Sequence, residues 1–383
     1  MYAFLLLIAF VGHCVLWVSI VNRVHGVGFQ RWIVDAVTHF CMVDFAVIPL
    51  AVLVATSLHN SSSTAAAFTS TPSGWYVLLC LFVSCWALVW TVFVKRHRER
   101  HGVVQSESTC VLDLHAKHGD ELLAPGTVRR LVRLPGNQVL RPVLAEKELL
   151  IPRLPAPLDG LRIAHLTDLH MSGRIGIAYF RDLIEATLDA QPDLIALTGD
   201  LVEYDAQHAW VDETLLKLTA PEGVFFVLGN HDLKHDNTKL RQELSKGGLI
   251  DLGGTSDQRD IRGQRVRLVG NELPWFAPAG DPQGNGEPVD FTVALAHGPD
   301  QFRWAEQHGI DLLLAGHNHG GQIRLPLLGA VVTPSVHGTR YSGGTFRRGD
   351  TVMHVCRGIG SLAPLRFNCP PELAILTLRS ERT

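Results

Sequence analysis

Cysteine is scarce in this chain and unevenly placed. Four of the seven cysteines lie in long apolar runs, and three remain for the other 280-odd positions: Cys14, Cys41, Cys80 and Cys85, then Cys110, Cys356 and Cys369. An odd, scattered set argues against a disulfide framework and is typical of a reducing compartment.

A strong net charge is also lacking. The chain has 34 Lys and Arg against 37 Asp and Glu, which leaves a net charge of -3 at pH 7. Apart from one basic run after residue 94, no long basic stripe occurs, whereas nucleic-acid-binding proteins present such a stripe to phosphates. The sequence therefore gives little support to a nucleic-acid partner.

Three segments near the N-terminus lack charge almost entirely. Residues 1–22 and 74–94 contain no charged side chain, and residues 39–59 contain only Asp44. Each run approaches the ~20 residues that cross a bilayer, so we predict three membrane spans. Asp44 and Pro49 in the second run are tolerated in lipid when they face other helices or the interface. A signal peptide is the alternative for the first run, which lacks a basic start and an obvious small-residue cleavage site.

Basic residues predict the orientation of these spans. Lys and Arg stay on the cytoplasmic side of short loops. They occur after the first and third runs and are absent from residues 59–73, as the positions Arg23, Arg31, Lys95, Arg96, Arg98 and Arg100 show. The pattern predicts a multi-pass protein of the inner (cytoplasmic) membrane whose C-terminal domain faces the cytoplasm.

The composition divides the chain into three parts. Residues 1–95 form the predicted transmembrane region, and residues 159–383 form a predicted C-terminal domain. Between them, residues 96–158 are rich in Arg, Pro and Gly and predict a connector with short β segments. Its basic portion could lie on anionic headgroups, or it could be a solvated linker packed on the C-terminal domain.

From Leu161 onward, apolar strand-like runs alternate with a helical pattern. The predicted strands are LRIAHLTD, DLIALTGD, GVFFVLGN, RVRLVGNE, FTVALAHG, DLLLAGHN, TVMHVCRG and ELAILTLR. Between the first two, Ile177, Phe180, Ile184 and Leu188 recur at helical spacing. This mixture predicts an α/β fold of two packed sheets flanked by helices.

Side chains that divalent metals prefer stand at the ends of five of these runs. They are Asp168 and His170 in LTDLH, Asp200 in LTGD, Asn230 in LGNHD, His297 in LAHG, and His317 and His319 in GHNHGG. Carboxylate, amide and imidazole ligands suit Mn, Fe or Zn, and no thiolate is required. Two such ions ~3.5 to 4 Å apart can activate water and clamp a phosphoryl oxygen.

The ordered blocks D-x-H, G-D, G-N-H-D, H-G and G-H-x-H resemble those of the calcineurin-like metallophosphoesterase superfamily. The stretches GHNHGGQIRLPLLGAVVTPSVHGTRYSGG and CRGIGSLAPLRFNCPPELAILTLR further resemble its membrane-associated bacterial YkuE/YaeI-like branch. The chain departs from the branch pattern at Asn318, where threonine is common, and in TDLHMS. The resemblance implies a two-sheet β-sandwich core flanked by helices.

The resemblance also implies a role for each motif residue. One ion would be held by Asp168, His170, Asp200 and His319, and the other by Asp200, Asn230, His297 and His317. His231 would protonate or stabilise the leaving oxygen, and Asp232 would pair with His231 to orient it. The implied cofactors are two divalent ions among Mn, Fe and Zn, with Mn favoured.

Several residues fit none of these blocks. His165, His208, His235, His308, His337 and His354 are predicted to be surface or hydrogen-bonded core groups rather than ligands. Arg340, Tyr341 and Arg366 could contact a phosphate or headgroup, but a structural ion pair or a solvated arginine is the preferred interpretation.

Together, these observations predict a membrane-anchored phosphoesterase. Its dinuclear metal centre would hydrolyse a phosphodiester, phosphomonoester or pyrophosphate, of a lipid-linked substrate, through a metal-bridging hydroxide. One alternative is a UDP-2,3-diacylglucosamine pyrophosphate hydrolase of lipid A synthesis. An alternative of another class is a non-catalytic membrane receptor or scaffold.

Overall fold

A computed structural model describes residues 2–58, 71–95, 102–284, 286 and 288–381. The chain divides into two compact units. The first consists of Met1–Glu99 with Pro334–Arg340, and the second consists of Arg100–Thr333 with Tyr341–Thr383.

In the part of the first unit that the structure describes, the chain forms three long helices. They are α1 (Tyr2–Gly26), α2 (Arg31–Leu58) and α3 (Pro72–Val89), with a π-helical extension at Trp90–Lys95. Segments Ala3–Gly26, Trp32–Val54 and Pro72–Val92 are each long and apolar enough to cross a membrane. The second of these starts at Trp32 rather than at residue 39, because the helix continues through Asp35 without a break. Part of residues 59–73, the predicted outer loop, lies outside the described residues.

Close helix packing in this unit depends on small residues. A Cβ placed on Gly12 of α1 would collide with the main chain at Cys80 of α3. The Ser84 hydroxyl donates a 2.6 Å hydrogen bond to the Ile8 carbonyl. Small residues of this kind allow apolar helices to approach closely in lipid.

The described residues of the second unit form five shorter α-helices and fifteen strands. The helices are α4 (Leu114–His118), α5 (Thr127–Val132), α6 (Ile177–Asp189), α7 (Asn237–Lys246) and α8 (Phe302–Gln307). The strands are β1 (Val104–Val111), β2 (Val143–Ile151), β3 (Arg162–Leu166), β4 (Leu194–Thr198), β5 (Val224–Val227), β6 (Ile250–Asp251), β7 (Ser256–Ile261), β8 (Gln264–Asn271), β9 (Phe291–Ala296), β10 (Leu312–Ala315), β11 (Arg324–Leu325), β12 (Gly329–Ala330), β13 (Gly344–Arg348), β14 (Thr351–Val355) and β15 (Glu372–Ser380).

These strands form two large sheets and one small hairpin. The seven-stranded sheet has the order β1-β2-β15-β3-β4-β5-β6, the six-stranded sheet has the order β13-β14-β10-β9-β8-β7, and β11 pairs with β12. The neighbours β3, β4, β5 and β6 run parallel, as do β8, β9 and β10. The predicted two-sheet α/β fold is confirmed.

Apolar packing explains the layers. One cluster joins the facing sides of the two sheets, including Ile163 and Phe225 from the first and Phe291 and Leu314 from the second. Other clusters place α6 and α7 on the outer face of the seven-stranded sheet and α8 on that of the six-stranded sheet. Because both sheet faces are covered, β4, β9 and β10 are buried at every position, and their sequences are continuous apolar runs.

Two strands of the larger sheet come from the region predicted as a connector. β2 pairs in parallel with β15, and β1 pairs antiparallel with β2. The side chains of β2 alternate between buried and less buried, whereas those of β1 are exposed throughout. β1 is therefore an edge strand, and β2 lies within the sheet.

Candidate metal centre

All seven predicted ligands meet at one edge of the two sheets, beyond the carboxyl ends of parallel strands. Asp168 and His170 follow β3, Asp200 follows β4, Asn230 follows β5, His297 follows β9, and His317 and His319 follow β10. Parallel strands in α/β folds bring their carboxyl ends to a common edge, which is where such folds place ligands.

The first cluster contains Asp168, His170 and His319. Their ligand atoms all lie within 4.8 Å of one another. The Nε2 atoms of His170 and His319 are 3.1 Å apart, and Nε2 of His319 is 3.5 Å from Oδ1 of Asp168. Oδ2 of Asp200 lies 3.5 Å from Nε2 of His170 and completes the set on that side.

The second cluster contains Asp200, His297, His317 and Asn230. Nε2 of His297 lies 3.2 Å from the same Asp200 Oδ2 atom, 3.1 Å from Nδ1 of His317 and 3.1 Å from Oδ1 of Asn230. One carboxylate oxygen of Asp200 therefore faces both clusters, as expected for a residue shared by two ions.

The chemistry of these donors fits divalent cations. Nδ1 of His297 lies 2.8 Å from the Thr198 carbonyl, which can only accept, so Nδ1 carries the hydrogen and Nε2 presents a lone pair. That lone pair faces the oxygens of Asp200 and Asn230, which are acceptors as well. A cation between them resolves the repulsion, and a backbone carbonyl holding the far ring nitrogen is common for metal-bound histidine.

Without a metal ion, a proton on Nε2 of His297 would take the place of that cation. Although burial opposes charge on an imidazole, the Asp200 carboxylate raises the pKa of His297 to about 9. Although burial opposes charge on Asp200 too, His297 and His231 hold the pKa of this carboxyl well below its usual range. Asp200 is therefore negatively charged in this buried site, and positive charge beside it stabilises that carboxylate.

Unusual backbone geometry accompanies five of the seven residues. They have φ between 44° and 67°, in the left-handed region that glycine favours: Asp168, His170, Asp200, His317 and His319. Non-glycine residues in this region carry strain that cores rarely retain without a functional reason. Here the strained turns aim consecutive side chains into the common centre.

Two glycines allow the centre to close. A Cβ on Gly229 would meet Oδ1 of Asp200 and the His297 ring, and a Cβ on Gly316 would meet the side chains of Thr167 and Asp168. Any larger residue at either position would push a candidate ligand away.

His231 lies beside the first cluster. Its ring packs edge-on against His170, with 4.7 Å between ring centroids, and its backbone N–H donates a 2.8 Å hydrogen bond to Oδ1 of Asp200. Its side chain is 14% exposed, so it can reach a substrate at the mouth of the site.

Glu203, rather than Asp232, is the partner of His231. Oε2 of Glu203 lies 2.7 Å from Nδ1 of His231 and 3.0 Å from Nδ1 of His170, and Oε1 lies 3.1 Å from Nζ of Lys234. Although burial acts in the opposite direction, hydrogen bonds from the two histidines hold the pKa of Glu203 well below its usual range. The sequence interpretation missed this residue, although an acidic side chain three positions after Asp200 in GDLVE was a usable signal.

The predicted pairing of Asp232 with His231 is wrong. Asp232 is fully buried, and its carboxylate accepts hydrogen bonds of 2.8 to 3.3 Å from the backbone N–H groups of Asp200, Leu201, Val202 and Gly229. Its closest histidine contact is instead a 3.8 Å approach to Nε2 of His235. Asp232 therefore shapes the turn that carries Asp200.

Arg366 also differs from its sequence interpretation as an ion-paired or solvated arginine. Its side chain is fully buried, and its guanidinium donates to the carbonyls of His319, Arg357 and Gly360 at 2.9, 2.8 and 2.6 Å. It also donates a 2.7 Å hydrogen bond to the hydroxyl of Ser361. Arg366 thus fixes the loop behind His319.

Other residues complete the surroundings of the centre. Trp275, which the sequence did not single out, packs on the rings of His297 and His317, with centroids 5.2 and 4.8 Å away. Asn318, the departure from the branch pattern, is buried and donates 2.8 Å to the Tyr341 carbonyl. Tyr341 itself is buried in the core beside α8.

Comparisons with known proteins agree with this geometry. The family model for calcineurin-like phosphoesterases matches residues 161–321. The chain is 31% identical over 237 residues to the uncharacterized metallophosphoesterase YkuE of Bacillus subtilis, covering 59% of this chain and 82% of that protein. It is 32% identical over 222 residues to the phosphodiesterase YaeI of Escherichia coli, covering 57% of this chain and 82% of that protein.

A more distant relative carries a more specific name. The UDP-2,3-diacylglucosamine pyrophosphatase LpxG of Chlamydia muridarum is 24% identical over 286 residues, which cover 59% of this chain and 86% of that protein. The first two relatives are 31% and 32% identical to this chain, and each is covered over 82% of its length. Together with the gathering of the predicted ligands at one edge of a two-sheet fold, these matches assign the family. The chain belongs to the calcineurin-like metallophosphoesterases, a family of metal-dependent hydrolases, and is similar to the YkuE and YaeI proteins of that family.

Proposed function

We propose that this chain is a membrane-anchored phosphoesterase that hydrolyses a phosphodiester, phosphomonoester or pyrophosphate bond of a lipid-linked substrate. The observation that carries the proposal is the sharing of one Asp200 oxygen by two clusters of ligand atoms, with His231 beside them. This arrangement suits attack by water on phosphorus and protonation of the leaving oxygen within one site.

In this proposal each cluster holds one divalent ion. Asp168, His170, Asp200 and His319 bind the first, and Asp200, Asn230, His297 and His317 bind the second. Mixed oxygen and imidazole ligands suit Mn, Fe or Zn, and Mn is the ion that we propose first. When bound, the two ions lower the pKa of a water molecule and offset charge on the phosphoryl oxygens.

In this proposal His231 protonates the leaving oxygen. Nδ1 of this ring lies 2.7 Å from Oε2 of Glu203, which fixes the ring orientation, and we assign delivery of the proton to Nε2. Nζ of Lys234 contacts the same ring and lies 3.1 Å from Glu203, so it adds positive charge at the mouth of the site. That charge favours an anionic phosphate over a neutral ester.

The three apolar helices support a membrane location for this reaction. We assign residues 1–95 to the anchor, 96–158 to a connecting region whose strands join the catalytic sheet, and 159–383 to the catalytic domain. The basic residues after the first and third spans favour an inner-membrane protein with its site in the cytoplasm. A site tethered in this way meets phosphates at the bilayer surface, which favours lipid-linked substrates.

The orientation can be tested with reporters fused after Thr383. A fluorescent protein that matures only in the cytoplasm should be bright, and alkaline phosphatase, which needs the periplasm, should be inactive. The opposite pair of results would overturn the cytoplasmic assignment without affecting the proposed chemistry.

The activity can be tested on the full-length protein in detergent micelles. With Mn²⁺, the protein should hydrolyse bis(p-nitrophenyl) phosphate, and His231→Ala should lower kcat by about 10²- to 10⁴-fold with the metal content retained. His308→Ala, a change at an exposed histidine, is the matched control and should behave as the wild type. Equal turnover by the wild type and His231→Ala would remove the role of His231.

A narrower candidate is hydrolysis of UDP-2,3-diacylglucosamine at its pyrophosphate. The relative that bears this activity in its name supports it, as does a site tethered to apolar helices. Incubation with this substrate in mixed micelles should release UMP and a diacylglucosamine phosphate, detected by mass spectrometry. Activity on the chromogenic diester without release of UMP would reject this substrate and keep the general phosphoesterase.

The non-catalytic receptor or scaffold is not favoured. Proteins that keep such a domain only for binding have no need of strained ligand turns, and here five ligand positions retain them. The same diesterase assay decides the question, because a scaffold would show no turnover above that of His231→Ala.

A further inference from the structure

A second group of buried histidines lies outside the centre described above. We call Asp205, His208 and His235, with Glu243 behind them, the His208 cluster. His208 belongs to the 3-10 helical segment Asp205–Glu213 after β4, His235 follows the turn that carries His231, and Glu243 belongs to α7. The side chains of His208 and His235 are only 4% and 2% exposed.

Hydrogen bonds define the tautomers of both rings. Nε2 of His235 lies 2.9 Å from the Val202 carbonyl, which only accepts, so Nε2 carries the hydrogen. Nδ1 of His208 lies 2.7 Å from Oε2 of Glu243, and a carboxylate likewise accepts. In each ring, the N–H therefore points away from the other histidine, and the second ring nitrogen directs a lone pair toward it.

The two lone pairs meet at short range. Nε2 of His208 and Nδ1 of His235 are 3.3 Å apart, and Oδ1 of Asp205 lies 3.9 Å from Nε2 of His208. The three atoms lie within 4.8 Å of one another. The two facing lone pairs need a hydrogen or a cation between them, and Asp205 places a carboxylate beside that point.

A metal ion fits this geometry better than a shared proton. Ligands bound tetrahedrally at about 2.0 to 2.1 Å from Zn²⁺ are about 3.3 Å apart, which matches the separation of the two nitrogens. A shared proton would satisfy only those nitrogens, whereas a metal ion would also engage Asp205, whose Oδ1 otherwise accepts a 3.3 Å hydrogen bond from the Asp236 N–H. The far nitrogens are held by a carboxylate and a carbonyl, the outer partners that metal-bound histidines have.

The charges around the cluster also favour a dication. Asp205 and Glu243 face it directly, and Oδ1 of Asp232 lies 3.8 Å from Nε2 of His235. The side chain of Asp205 is 74% exposed, so an ion has an open route from solvent and a position for water as a further ligand.

We propose that the His208 cluster is a separate mononuclear site for a divalent transition metal, with Zn²⁺ favoured, ligated by Nε2 of His208, Nδ1 of His235 and a carboxylate oxygen of Asp205. Two imidazoles and one carboxylate form a ligand set that zinc uses in proteins with water as the fourth ligand. An ion there joins the Asp205–Glu213 segment to the turn that carries His231. The site does not depend on the dinuclear centre or on the proposed reaction.

The test separates this site from the dinuclear centre by using an Asp200→Ala background. The full-length Asp200→Ala protein, freed of metal and then given Zn²⁺ alone, should retain one equivalent after gel filtration, measured by elemental analysis. Adding His208→Gln should remove that equivalent, and adding His308→Gln, at an exposed histidine, should leave it in place.

Milder variants guard against loss of folding. Asp205→Asn changes an exposed side chain and should weaken zinc binding at least about tenfold, and Glu243→Gln should weaken it by about 10- to 100-fold. A crystal soaked in Zn²⁺ should show an anomalous peak between Nε2 of His208 and Nδ1 of His235. The absence of that peak, or equal zinc retention by folded proteins with and without His208→Gln, would overturn the proposal even if phosphoesterase activity were found.

Discussion

Oε2 of Glu203 lies 2.7 Å from Nδ1 of His231, and this contact defines how the proposed proton donor is held. Glu203 and His231 come from neighbouring loops, one after β4 and the other after β5. Because the carboxylate fixes one ring nitrogen, the other is presented to the substrate in a defined direction.

Replacement of Glu203 should therefore affect turnover. Glu203→Gln removes the charge but keeps the size of the side chain. We expect kcat to fall about 10- to 100-fold, the usual effect of removing a group that orients a functional histidine. KM should change much less, because binding of the phosphate does not need this proton. Steady-state kinetics would measure both, with Glu213→Gln, at an exposed surface ion pair, as the control. An unchanged kcat would show that the contact has no role in catalysis.

Asp200 should be required for both ions of the proposed dinuclear centre. Its Oδ2 atom faces the ligands of both clusters, so Asp200→Ala should lose both equivalents of Mn²⁺. Replacement of a ligand that belongs to only one cluster should lose one equivalent. Elemental analysis after dialysis against Mn²⁺ measures this. Asp212→Ala, at an exposed carboxylate, should retain both. Two equivalents in Asp200→Ala would contradict the bridging assignment.

The buried Arg366 should be needed for stability and for the first cluster. Arg366→Ala leaves the carbonyls of His319, Arg357 and Gly360 without their donor, and we expect a loss of about 3 kcal/mol or more in the free energy of unfolding. Binding of one Mn²⁺ should weaken as the loop behind His319 loosens. Thermal unfolding and Mn²⁺ titration would measure these effects.

Arg130→Ala is the matched control for that experiment, because Arg130 is exposed. It should unfold at the wild-type temperature. If Arg366→Ala were as stable as Arg130→Ala, the carbonyl contacts of Arg366 would contribute little to the fold.

Histidine in the core between the sheets should make stability depend on pH. Burial lowers the pKa of His165 to about 3, and its Nδ1 faces Nδ1 of the equally buried His354 at 3.0 Å. Between pH 6.5 and about 3, the unfolded chain binds a proton at His165 and the folded chain does not. The stability is thus complete above pH 6.5 and falls as the pH drops, by up to about 1.4 kcal/mol per pH unit for one histidine.

Replacement by a side chain that does not titrate should reduce this slope. His165→Asn should be less stable than the wild type at pH 7 but should lose less stability between pH 6.5 and 5. Unfolding by urea in detergent at several pH values would measure the difference, with His308→Asn, at an exposed position, as the control. Parallel pH profiles for the wild type and His165→Asn would refute this account.

Local patterns in the sequence were sufficient for much of this structure. Apolar runs with β-branched residues predicted the buried strands, and the helical spacing from Ile177 predicted α6. Charge-free runs predicted three long apolar helices, although the second starts earlier because α2 continues through charged residues near its start. The gathering of the seven candidate ligands could also be expected, because parallel strands of a predicted α/β fold end at one edge, and each candidate follows the end of a strand.

Only the tertiary structure decided which side chains touch across that edge. The family resemblance paired Asp232 with His231, but the fold turns Asp232 toward backbone N–H groups and brings Glu203 from the preceding loop to the imidazole. The burial of Arg366 and the meeting of His208 with His235 likewise depend on contacts between separate loops. The sequence by itself determined the periodicity, the turns and the ligand chemistry, since these are properties of neighbouring residues. The partners of polar side chains were determined by the fold, because burial leaves each donor and acceptor only the groups that distant segments place beside it.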